Sequence, residues 1–314
     1  MNGKKMLVAI VLFILLGAAM TGAAAQRIEQ PVRPAAYLEN PSEAITVTKD
    51  GQGADAMSQS GRSDFTVILH GGVAEKLILG PCARPGGYAV DITPLRDGED
   101  GAYIEKQILP EFDGQRWVDV LTLLMPSDGT PLKVQVQVYS TADWPRAFEG
   151  TLSLEPGAWH GFIIQDAAVA AGYVIEINPQ GRGEPGDRVE RTLVQPEFAD
   201  AWWDVLRVQI PEGQATMEAE VIVYQTPADL PVVLDYEFLA EPGAWYGFWI
   251  GDSQTGGAYV LDVTPLWNEL SQIERYTIQQ ECDEQTWIDS ARVMVSPDWP
   301  PMQLRVTVYL AGGG

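Results

Sequence analysis

The segment Gly87-Tyr88-Ala89-Val90-Asp91-Ile92-Thr93-Pro94 returns as Gly172-Tyr173-Val174-Ile175-Glu176-Ile177-Asn178-Pro179 and again as Ala258-Tyr259-Val260-Leu261-Asp262-Val263-Thr264-Pro265, spaced by 85 and then 86 residues. A chain that writes one pattern three times is expected to build one structural unit three times. A second block, Pro110-Glu111-Phe112 with Trp117-Val118-Asp119, recurs as Pro196-Glu197-Phe198 with Trp202-Trp203-Asp204, and in altered form as Gln280-Glu281-Cys282 with Trp287-Ile288-Asp289. A third block closes each copy at Val136–Tyr139, Val221–Tyr224 and Val306–Tyr309. Copies two and three also share an opening, Glu155-Pro156-Gly157-Ala158-Trp159-His160-Gly161-Phe162 against Glu241-Pro242-Gly243-Ala244-Trp245-Tyr246-Gly247-Phe248, which in copy one has decayed to His70-Gly71-Gly72-Val73-Ala74.

Every block alternates with period two, the mark of a strand buried on one face. Val134, Val136 and Val138 are predicted inward, with Gln135 and Gln137 outward. The same pattern puts Asp91, Glu176 and Asp262 on the wet face of their strands, opposite Arg191 or Arg275 as cross-strand partners. Pro and Gly punctuate at short intervals and no helical period is sustained, so each copy reads as five or six short antiparallel strands. The expected fold is all-β: three tandem small β-sandwich or barrel-like modules of about 85 residues, at 64–146, 147–232 and 233–314. Each is long enough to own a core, so beads on a string is the simplest arrangement, and packing about a pseudo-threefold axis is the alternative.

Residues 1–25 read as a secretory signal peptide: Lys4 and Lys5, an apolar run from Met6 to Gly17, and small residues at Ala23–Ala25. An uncleaved anchor is the rival, disfavoured by the small-residue site. Residues 26–63, rich in Pro, Ala, Gly, Ser and Gln, read as a flexible leader, with a strand at Ala44–Thr48 as the alternative. The expectation is a secreted or extracytoplasmic protein without membrane insertion after cleavage. Its net charge of −23 becomes two units more negative when the leader peptide's two lysines are lost, which argues against nucleic acid or an anionic membrane as partner. So much acid suits a hydrated, self-repelling surface, with weak Ca²⁺ binding as the lesser alternative.

Catalytic and metal signatures are not evident. His70 and His160 fall at different repeat positions, and there is no Cys-x-x-Cys, His-Glu-x-x-His or calcium loop. Cys82 and Cys282 lie in copies one and three; as a disulfide they would bring those copies together, and as thiols Cys282 would occupy the apolar position of Phe112 and Phe198. The most suggestive recurrence is Trp117 with Asp119, Trp202 with Asp204, and Trp287 with Asp289. A Trp beside a carboxylate can stack on a pyranose and accept its hydroxyls; a Trp opening a strand can equally plug a core. The expected function is a non-enzymatic binding, adhesion or coating protein using repeated modules. The alternative is a lectin-like protein with one Trp/Asp site per copy, and a secreted hydrolase is third. No cofactor is implied, and the expected partners are glycans or other surface proteins.

Overall fold

Alternating apolar residues between Gly- and Pro-rich turns give strands throughout. The computed structural model describes residues 62–313 except 126–129, 168, 170, 195–196, 199–200, 267–272 and 299, and is all-β with no helix among the described residues. The signal peptide, nearly all of the leader and the alternative strand at 44–48 lie outside the described residues.

Copy one supplies β1 (Arg62–Leu69), β2 (Ala74–Pro81), β3 (Tyr88–Pro94), β4 (Tyr103–Phe112), β5 (Trp117–Leu124) and β6 (Leu132–Ser140). The first strand thus begins two residues inside the segment read as leader. Copy two supplies β7 (Arg146–Leu154), β8 (His160–Asp166), β9 (Tyr173–Gln180), β10 (Glu190–Val194), β11 (Glu197–Phe198), β12 (Ala201–Gln209) and β13 (Met217–Gln225). Copy three supplies β14 (Val232–Ala240), β15 (Trp245–Asp252), β16 (Gly257–Pro265), β17 (Ile273–Asp283), β18 (Thr286–Val295) and β19 (Met302–Gly313). Three small antiparallel sheets have corresponding orders: β1-β6-β3, β7-β13-β9 and β14-β19-β16. The remaining strands pair as β2-β5-β4, β15-β18-β17, and β12 with β8, β10 and β11.

Burial follows the alternation where it was predicted: Val134, Val136 and Val138 are buried, while Gln135 and Gln137 are part-exposed. One apolar cluster draws on β1 to β6, with Leu69, Ile92, Leu121 and Val136 fully inaccessible, so the two groups of strands in copy one share a core. The turn opening each copy needs a left-handed residue, and glycine supplies it at Gly72, Gly157 and Gly243, with φ of 72°, 71° and 71°. The decayed opening of copy one has therefore kept the residue its backbone requires.

Strands of different copies meet at two levels. At sheet edges, β4 pairs with β17, so that β15-β18-β17-β4-β5-β2 is one six-stranded sheet spanning copies three and one. Its continuation is Cys282 N–H donating to Ala102 C=O at 2.7 Å and Gly101 N–H to Cys282 C=O at 3.0 Å. The same ladder recurs one copy on: Phe112 N–H donates to Asp187 C=O at 2.8 Å and Gly186 N–H to Phe112 C=O at 3.1 Å. Deeper in, Ala89 of β3, Val174 of β9, and Ala258 and Val260 of β16 form a separate buried cluster. Gly87 abuts the Val174 side chain and Gly172 abuts that of Val260, each too closely to admit a Cβ. Around the rim, Tyr139 receives the Arg62 guanidinium 5.6 Å from its ring centroid, and Gly312 of β19 lies against the same ring.

Candidate functional site

The three Trp/Asp pairs open β5, β12 and β18, and none of the rings is presented to solvent: Trp117, Trp202 and Trp287 are 6%, 4% and 2% exposed. Each indole sits in a core made chiefly by the following copy. Trp117 joins the cluster of Leu154, Ile177, Val208 and Val221, Trp202 that of Val263, Val293 and Val306, and Trp287 that of Leu69, Ile104 and Val136. Glycines admit them: Gly183 fits against Phe112 and Trp117, and Gly98 against Cys282 and Trp287. A pyranose cannot reach a ring so enclosed. The stacking surface expected at these positions is occupied by the neighbouring copy instead.

Asp119, Asp204 and Asp289 are buried with them. So are Asp91, Glu176 and Asp262, which corrects their expected place on a wet face. Strands β3, β9 and β16 carry a core on one side and another copy on the other, so alternation there separates two kinds of interior. Arg191 is not the cross-strand partner of any of these acids, its register partner being Val208; it lies near Asp119, and Lys106 lies near Asp91 and Asp289. The Arg275 side chain is not among those described.

These groups assemble into three joints, each with the carboxylate of one copy's Trp/Asp pair and an acid and a fourth-strand residue from the next. Between copies one and two, Asp119 faces Arg191 and Glu176. Burial raises Asp119 to about 6 even with Arg191 nearby, and lowers the guanidinium to about 10. Glu176 accepts from Gly86 N–H at 2.7 Å and from Tyr224 O–H at 2.8 Å. Between copies three and one, Asp289 accepts from Ser253 O–H and Gln280 N–H, both at 2.9 Å, beside Lys106, which donates to Val90 C=O at 2.8 Å. Asp91 Oδ1, Asp289 Oδ2 and Gln280 Oε1 are buried there without hydrogen-bond partners, and burial holds Asp91 at about 6.

The joint between copies two and three has Tyr276 where the others have Lys106 and Arg191. Tyr173 O–H donates to Asp204 at 2.6 Å and Thr264 O–H to Asp262 at 3.0 Å. Burial, then the nearby Asp204 carboxylate, pushes Asp262 up to about 8, so at neutral pH it holds its proton. These arrangements suit joining strands. A nucleophile with an adjacent base and an oriented third group is not assembled in them.

Cys82 and Cys282 are both free and buried, in different clusters, so the link between copies one and three is made by β4 with β17 and needs no disulfide. Cys282 does take the place of Phe112, against Trp287. His70 lies 3.1 Å from Glu75, and His160 accepts from Glu155 N–H at 3.1 Å. No cluster of three His, Cys, Asp or Glu able to hold a metal occurs among the described residues.

Sequence reasoning missed the position of Lys106, Arg191 and Tyr276, although an 85-residue spacing marks it as plainly as it marks the acids. It also missed Trp249, which at 68% exposure is the most open large apolar side chain among the described residues; Trp159 and Trp245 are also exposed, at 47% and 42%. No family model, curated protein or solved structure matches the chain.

Proposed function

We propose that this chain is a secreted, non-enzymatic binding scaffold. Three β-sandwich modules, at 64–146, 147–232 and 233–314, close about a pseudo-threefold axis behind a cleaved signal peptide (1–25) and a leader (26–63). The observation carrying this reading is that the Trp/Asp pair of each copy is consumed in the core and joint of the next. The residue types best suited to chemistry are thus spent on assembly. What remains open to a partner is the outer surface, and three linked surfaces gain avidity without any new kind of contact. Partners are glycans or other surface proteins, in keeping with an acidic exterior that repels polyanions.

Two measurements test the proposal. Labelled protein applied to immobilised polysaccharide, protein and whole-cell surfaces is expected to be retained, and the same preparation is expected to turn over no polymer, peptide or ester substrate. Turnover abolished by one carboxylate substitution, or retention on no surface at all, would sink it.

A further inference from the structure

The opening shared by copies two and three is not used by the joints. In β15 the opening and the two residues after it send Tyr246, Phe248 and Ile250 into the core and leave Trp245, Gly247 and Trp249 on the outer face, Trp249 standing where copy two has Ile163. Four residues of strand put the Cα atoms of the two tryptophans about 13 Å apart. Between them the Arg292 guanidinium crosses Gly247, where a Cβ would meet it at 2.8 Å, and makes a two-pronged ion pair with Glu281. Gln279 adds an N–H to the same carboxylate at 2.9 Å. The result is a platform with an open aromatic ring at each end and a charge-neutral row of donors and acceptors in the middle.

We propose that this platform binds a neutral oligosaccharide, the rings stacking on separate pyranose faces and the Arg292, Glu281 and Gln279 groups meeting hydroxyls between them. A sugar ring is apolar on its faces and hydrogen-bonding around its rim, which matches this alternation. Charge selects the class: a chain of net charge −23 repels acidic glycans, anionic lipid and a second copy of itself, but not a neutral sugar. Copy two repeats part of the platform, with Trp159 exposed and Gly161 paired with Arg207. Copy one has it blocked: Ala74, Lys76 and Ile78 replace the three residues, and Lys76 itself pairs with Glu111 at 2.8 Å.

This inference rests on reading the chain as a binding protein, and names a ligand for it. The test is titration of the full secreted chain with cellohexaose, xylohexaose, mannohexaose and chitohexaose, followed by intrinsic fluorescence and calorimetry. At least one sugar is expected to bind, with affinity falling about tenfold in Trp249→Ala and in Trp245→Ala while the melting temperature stays unchanged. Gly247→Lys combined with Arg292→Thr, which installs copy one's arrangement, is expected to remove binding at copy three and preserve the fold. Failure of all four sugars to bind, or binding that both tryptophan variants leave intact, overturns the platform. Retention on a protein or cell surface alongside such a failure leaves the scaffold reading standing and removes only the sugar.

Discussion

Buried carboxyls set how this protein should answer to pH, Asp262 over the widest range. Asp262 is surrounded by Asp204, Tyr173, Tyr276 and Tyr309, with no cation in the position that Lys106 and Arg191 fill elsewhere. With its native pKa raised to about 8 from an ordinary 3.8, the folded state keeps a proton that the unfolded chain has released, and stability falls as pH rises between those values. Asp91 and Asp119, both at about 6, add the same sign over the lower part of that window. Thermal melts are expected to show greater stability at about pH 5 than at pH 8. Asp262→Asn should flatten the decline above about pH 6, and an unchanged slope would refute the assignment. At the same scale, Trp202→Ala should destabilise by about 3–5 kcal/mol by emptying a neighbour's core, as denaturant titration would measure. The two thiols, enclosed and with burial raising both pKa values, should resist maleimide until the protein unfolds.

Between elements, the central contacts of β3, β9 and β16 obey a volume rule. Gly87 meets Val174 and Gly172 meets Val260, whereas the corresponding residues at the third contact, Ala258 and Ala89, are both alanines in the same cluster. A glycine opposite a valine and an alanine opposite an alanine fill similar space. Ala89→Val is therefore expected to cost about 1–3 kcal/mol through overpacking, and Ala258→Gly in the same chain should recover most of it. Purely additive effects in a double-mutant cycle would contradict the pairing. Strands were legible in the sequence because period two is a local signal, visible in Val134, Val136 and Val138 without knowing what they touch. The fate of Asp91 was not, since a strand interior on both sides alternates like one that is wet on one side. Nor was the destination of Trp117: its position could be read from the repeat, but it is decided by Gly183 and Val208 far along the chain. The altered third block had a local meaning too, as Cys282 does sit at an apolar position.

For the whole molecule, shared cores imply shared stability. Each copy completes its interior with an indole from another, so calorimetry of the full chain should show one transition, and residues 147–232 expressed alone should fail to fold. Three separate transitions, or a folded 147–232 fragment with a melting temperature near that of the parent, would restore the beads-on-a-string arrangement. Tyr139 carries a further consequence. Arg62 of the first strand and Gly312 of the last both lie against this one ring, so the described chain returns to its starting point. Circular permutation should then be nearly free of cost: joining residue 313 to residue 62 by a short linker and opening the exposed turn at Pro227–Pro231 changes where synthesis starts and leaves every strand pair available. Such a permutant is expected to melt as the parent does, which would make the order in which the three copies are written a matter of history and not of architecture.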